Sequence, residues 1–149
     1  MNIEFGEKLI QEIIFLSNTG IPLFNYAIDN SFNKEYDYRL IGSYFDQICR
    51  FTRYKFNQSL VTLKIGKNEF YFYTHPDKVC HLIIKTDNKK IKKKNVDQFA
   101  KDILDKFTSK FKMKLLDFNG NVNIFKSFSK DIEQLFKSRS IKSITSRLF

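Results

Sequence analysis

At 149 residues and 42% hydrophobic, the chain is long enough to bury one core, and its two cysteines form no secreted disulfide framework. The net charge is +10, and seventeen Phe and seven Tyr without any Trp must fill an aromatic core or form an aromatic patch. The absence of any apolar run of about 18 residues argues against a membrane-spanning helix, and Glu4, Glu7 and Glu12 among the first apolar residues argue against a signal peptide; a soluble, cytoplasmic protein is expected.

Taken in chain order, residues 10–16 are almost continuously apolar, the pattern of a central strand covered on both faces. Asn18-Thr19-Gly20 supplies a tight turn into a second strand at 21–28. Pro22 cannot donate to a ladder, which places that strand at a sheet edge near its start. Leu40, Ile41, Tyr44, Phe45, Ile48 and Thr52 repeat with a helical period and predict a helix over 36–56. Strand patterns follow at 59–65, 69–74 and 79–85, the first two joined by Gly66-Lys67-Asn68. Val96, Phe99, Ala100, Ile103, Leu104, Phe107 and Phe111 predict a helix over 95–116, with Asn95 placed to cap it. A last helical pattern covers 127–139. Beyond it Ile141, Ile144 and Leu148, with Lys142 and Arg147, form a short basic amphipathic tail over 141–149, set to extend the helix, lie on a surface or stay loose.

Strands joined by short turns pair antiparallel, and the helix after the hairpin must cross one face of the sheet. The two late helices each carry one apolar stripe and need the other face. The expected fold is therefore α+β, a five-stranded antiparallel sheet with one helix on one face and two on the other.

Charge is divided unevenly along the chain. Residues 1–84 hold nine Lys/Arg and nine Asp/Glu, whereas residues 85–149 hold 17 Lys/Arg against seven Asp/Glu. The densest stretch includes Lys89, Lys90, Lys92, Lys93 and Lys94, a candidate contact for anionic surfaces such as bilayer headgroups; a solvated loop is the plainer reading. His75, Asp77, Cys80 and His81 resemble a metal set in composition only. Cys80 and His81 are neighbours on a strand and so point to opposite faces. Cys49 lies beside the apolar stripe of a helix, where a structural thiol is common. With no Gly-rich phosphate loop, no Gly-x-Ser-x-Gly elbow and no distinctive carboxylate pair, no catalytic residue, cofactor or metal is expected, and the chain does not read as an enzyme. The alternative function is nucleic-acid binding, through the lysine-rich half and bases stacked on Phe70-Tyr71-Phe72-Tyr73. Helices on both faces would bury those rings.

The element order, together with the hairpin phrase Asn18-Thr19-Gly20-Ile21-Pro22-Leu23-Phe24, resembles the longin domain of the SNARE-like, profilin-like superfamily over roughly residues 10–140. Roadblock relatives begin with a helix, for which residues 1–6 are too few. The resemblance implies the sheet order 2-1-5-4-3 and a single longin-like domain over 1–140 followed by the tail. It also implies function by docking in vesicle trafficking or in binding and regulating small GTPases. The implied partners are a small GTPase or another longin- or roadblock-like domain, in a homodimer or heterodimer; peripheral contact with anionic membranes is expected instead from the lysine-rich stretch and the basic tail. The candidate interface is the edge of the third strand, with unpaired backbone groups at Leu60, Thr62 and Lys64, beside Tyr44, Phe51 and Tyr54 of the first helix, since an exposed edge next to aromatics is a typical association surface. No sustained heptads for a SNARE coiled coil follow in the sequence.

Overall fold

The computed structural model describes residues 10–27, 45, 47, 50, 62–77, 79–86 and 92–148. Five strands, β1 (Ile10–Ser17), β2 (Pro22–Ala27), β3 (Thr62–Ile65), β4 (Asn68–Thr74) and β5 (Cys80–Thr86), are followed by helix α1 (Lys93–Leu116), a 3-10 turn (Val122–Phe125) and helix α2 (Phe128–Leu148). All neighbouring strands pair antiparallel in the order β2-β1-β5-β4-β3. Pro22 thus sits on an edge strand, and the most apolar strand, β1, lies inside the sheet. The fold is α+β, with two helices among the described residues.

The hairpin reverses at Gly20, whose φ of 89° is a left-handed conformation that suits glycine. Ser17 organises the same turn: its backbone N–H donates to the Ile21 carbonyl at 2.7 Å, and its Oγ accepts from the Ile21 N–H at 2.9 Å. Gly66, at φ 61°, plays the corresponding role between β3 and β4. Two irregularities decide which side chains share a face. The pairing of β1 with β5 shifts between Ile10 and Glu12, so Ile10 joins Ile13 and Phe15 instead of Ile14 and Leu16. The pairing of β1 with β2 shifts at Phe15/Leu16, which lets the consecutive residues Leu23 and Phe24 enter one core.

That core lies between one face of the sheet and the two helices. Ile13, Phe15, Leu82 and Ile84 meet Val96, Phe99, Ile103 and Phe107 of α1, Phe125 of the 3-10 turn, and Phe128 and Ile132 of α2. Phe107 is its hub, stacked on Phe15 with centroids 4.0 Å apart and edge-on to Phe128 at 5.1 Å. Such pairs contribute beyond their buried area. Both late helices therefore cover one face, as their stripes require. On the opposite face Ile14, Leu16, Phe70 and Ile83 are buried with Phe45, whose ring lies 4.8 Å from Phe70 and 5.3 Å from Phe72. The predicted 36–56 helix lies largely outside the described residues; Phe45, Gln47 and Arg50 of that span are described and helical.

Helix α1 starts at Lys93, two residues before the predicted position. Its N-cap is Lys92, without a side-chain cap bond, so Asn95 lies inside the first turn and does not cap the helix. The amide of Asn95 instead donates to the Lys92 carbonyl at 2.9 Å. The backbone of 141–148 continues α2. Of the described helices, none is long and apolar enough to cross a membrane.

Candidate functional site

Lys92, Lys93 and Lys94 stand exposed where α1 begins; Lys89 and Lys90 lie outside the described residues. Cations at a helix N-terminus oppose the backbone dipole, and no acidic residue occupies the first turn. Lys93 is offset by Asp97 one turn on, at 2.9 Å, and the other oxygen of Asp97 accepts the Tyr73 hydroxyl at 2.7 Å. The run therefore costs helix stability and projects positive charge, which is what an anion-facing surface needs.

The second candidate surface is the β3 edge. Among the described residues β3 pairs with β4 alone, with Thr62 half-buried and Lys64 exposed. Tyr44, Phe51, Tyr54 and Leu60 lie outside the described residues. The opposite edge differs, because β2 is packed by the 3-10 turn. Covering or charging an edge is a common defence against unwanted strand pairing.

The strand aromatics do not form an open platform. Tyr71 is buried in the α1-facing core, and Tyr73 packs against it with its hydroxyl held by Asp97. Phe70 and Phe72 turn to the other face and meet Phe45. Burial first, then the Glu69 carboxylate, pushes the Tyr71 hydroxyl up to about 12; burial first, then the Asp97 hydrogen bond, raises Tyr73 as well.

His75, Asp77, Cys80 and His81 do not converge. Cys80 is fully buried under α1, where burial pushes its thiol up to about 12. His81 sits across the ladder from Thr74 and shares a 2.9 Å hydrogen bond with its hydroxyl. His75 directly follows β4, its backbone N–H donating to the Cys80 carbonyl at 3.1 Å, and its Nδ1 accepts the Asp77 N–H at 3.1 Å. Among the described residues no three His, Cys, Asp or Glu side chains gather as a metal site. Cys49 lies outside the described residues.

One polar group escaped the sequence reading. Glu12 and Lys85 are cross-strand neighbours on β1 and β5, only 2% and 5% exposed, and the Asn25 side-chain amide donates to Glu12. Burial lowers the Lys85 pKa, and the Glu12 carboxylate works against that shift. The available signal was one acid inside an otherwise apolar strand, which implies a buried partner because an isolated buried charge is too costly. In comparisons with known proteins, no family model matches this chain and no curated protein does.

Proposed function

We propose that this chain is a non-catalytic docking module of the longin type, acting in membrane trafficking or in the binding and regulation of a small GTPase. The observation that carries the reading is the antiparallel β2-β1-β5-β4-β3 sheet with α1 and α2 on one face and Phe45 on the other. In a longin arrangement the 36–56 helix supplies Phe45, making a three-layer αβα domain with one helix opposite two. The β3 edge and that helix then form the partner surface, with Tyr44, Phe51, Tyr54, Leu60, Thr62 and Lys64 on it. Pairing there joins this chain to a second copy or to a similar domain, in the cytoplasm or at its membranes. The lysines at 89–94 supply a weak, salt-sensitive attraction to anionic surfaces.

The test combines sedimentation with retention of small GTPases in GDP- and GTP-analogue forms. Self-association or nucleotide-dependent retention that is lost in Leu60→Lys/Thr62→Lys supports the reading. A strict monomer at high concentration that retains no GTPase overturns it. Retention of single-stranded nucleic acid alone replaces it with that of a basic nucleic-acid binder, although the packing of Phe70–Tyr73 leaves no row of open rings for bases to stack on.

A further inference from the structure

The far end of α1 carries a surface that the docking reading does not use. Residues 106–116 contain Lys106, Lys110, Lys112 and Lys114 and no carboxylate; Asp105 and Asp117 stand immediately outside this span. Within it Met113 is 75% exposed and Leu116 is 61% exposed, and they are the only large hydrophobic side chains besides Ile21 to be exposed among the described residues. Spacings of three and four place Lys106, Ser109, Met113 and Leu116 along one side of the helix, with Lys112 beside them. All five are exposed.

The geometry turns this side outward. The helix has a non-helical backbone at Phe111 (φ −116°, ψ 19°), one turn after the Thr108 hydroxyl donates back to the Leu104 carbonyl at 2.8 Å and the Asp105 carbonyl at 3.2 Å. Back-bonding of this kind often bends helices. Phe111 stays anchored in the core against Phe107 and Phe125. The last turn, beyond the bend, is left with Met113 and Leu116 in water. Lys110 is engaged with Asp131 at 2.7 Å, so Lys106, Lys112 and Lys114 are the cations that frame the apolar pair.

We propose that this end of α1 docks on an anionic lipid bilayer, with Met113 and Leu116 entering the headgroup region and Lys106, Lys112 and Lys114 meeting acidic headgroups. Two flexible apolar side chains ringed by lysines suit a surface that is oily beneath and negative on top. A nucleic-acid backbone would use the lysines but gain little from Met113 and Leu116. The contact is separate from the β3 edge, so it stands or falls apart from the docking reading.

The test is co-sedimentation of the full chain with vesicles of phosphatidylcholine alone and with phosphatidylserine added, at low and physiological salt. Wild type is expected to bind the phosphatidylserine vesicles, release as salt rises, and leave neutral vesicles unbound. Lys112→Gln/Lys114→Gln is expected to weaken binding roughly 25-fold, at about five-fold per lysine. Met113→Ser/Leu116→Ser is expected to weaken it about ten-fold while keeping the wild-type charge. Unchanged circular dichroism melting in both variants assigns these losses to the surface. Wild-type binding by Met113→Ser/Leu116→Ser overturns the proposal. So does failure of the wild type to bind, equal binding to neutral vesicles, or loss only on replacing Lys89, Lys90, Lys92, Lys93 and Lys94. Tighter retention of a single-stranded oligonucleotide, unaffected by Met113→Ser/Leu116→Ser, also overturns it.

Discussion

Phe107 touches Phe15, Phe111, Phe125 and Phe128 at centroid distances between 4.0 and 5.5 Å, so a sheet strand, both helices and the turn between them meet at one ring. Phe107→Ala opens a cavity that none of these partners can fill alone, and about 3–5 kcal/mol of stability is expected to go, read by urea denaturation. Cys80 gives a pH signature. Its thiol is raised from 9 to about 12 in the fold, so the unfolded chain releases this proton first as pH rises. The associated stability is complete below pH 9 and falls between pH 9 and 12, by about 1.4 kcal/mol per unit from this group. Tyr71 adds loss in the same direction above pH 10. Lys85, with its pKa lowered by burial, acts in the opposite sense as pH approaches 10.5. Denaturation at pH 8, 9 and 10 is expected to show a shallower decline for Cys80→Ala than for wild type; equal slopes would remove the thiol from the account. Glu12→Ala strips Lys85 of a buried neighbouring countercharge and is expected to cost about 3 kcal/mol, whereas Glu12→Met/Lys85→Met costs less.

The sheet's two faces are covered by different means. α1 and α2 bury the face that carries Phe15, Leu82 and Ile84, and the i, i+3, i+4 stripe of α1 makes that contact continuous from Val96 to Phe111. On the other face the described cover is Phe45, buried between Phe70 and Phe72. Phe45→Ala is expected to lower stability by about 3 kcal/mol and to speed hydrogen exchange in β4 and β5, while amides at the centre of α1 keep more of their protection. Uniform loss of protection throughout the chain would show that the two faces do not open separately. The edges differ in the same way: β2 is packed by the 3-10 turn, whereas the described part of β3 carries the exposed Lys64.

For the whole molecule, the excess positive charge belongs to residues 85–149, and Lys92, Lys93, Lys94, Lys106, Lys112 and Lys114 are exposed among the described ones, so any anionic partner should sense a broad positive field as well as local contacts. Binding of any such partner is expected to weaken steeply between 50 and about 200 mM salt, because screening shortens the reach of exposed charges. Titrating salt in the vesicle assay separates this general attraction from the apolar contribution of Met113 and Leu116. The general part weakens wild type and Met113→Ser/Leu116→Ser alike as salt rises, and the apolar part shows as the roughly ten-fold gap that persists between them at every salt where binding is still measurable.

Local chemistry by itself determined most of the described elements and the neighbours that tight turns join. Alternation marked the strands, the period of 3.6 marked α1, Gly20 and Gly66 marked the reversals, and Pro22 marked an edge, because each is a constraint of a few bonds or of one face. The central position of β1 was also legible, since a run such as Ile13-Ile14-Phe15-Leu16 is tolerated only where both faces are dry. The full strand order followed from resemblance to a known domain and was not dictated by the residues alone. Tertiary structure decided what depends on register. The shift between Ile10 and Glu12 sends Ile10 to the α1 side, a one-residue slip that periodicity cannot see. The same pairing sets Glu12 opposite Lys85, 73 positions along the chain, where no local pattern could join them. Asn95 looked like a cap because its side chain is the right kind, but the helix gains two residues at Lys93 and Lys94, and the capping position falls to Lys92. Exposure at Met113 and Leu116 was likewise a tertiary outcome. An apolar stripe states which side of a helix prefers the core, whereas the backbone at Phe111 decides which side of the last turn reaches it.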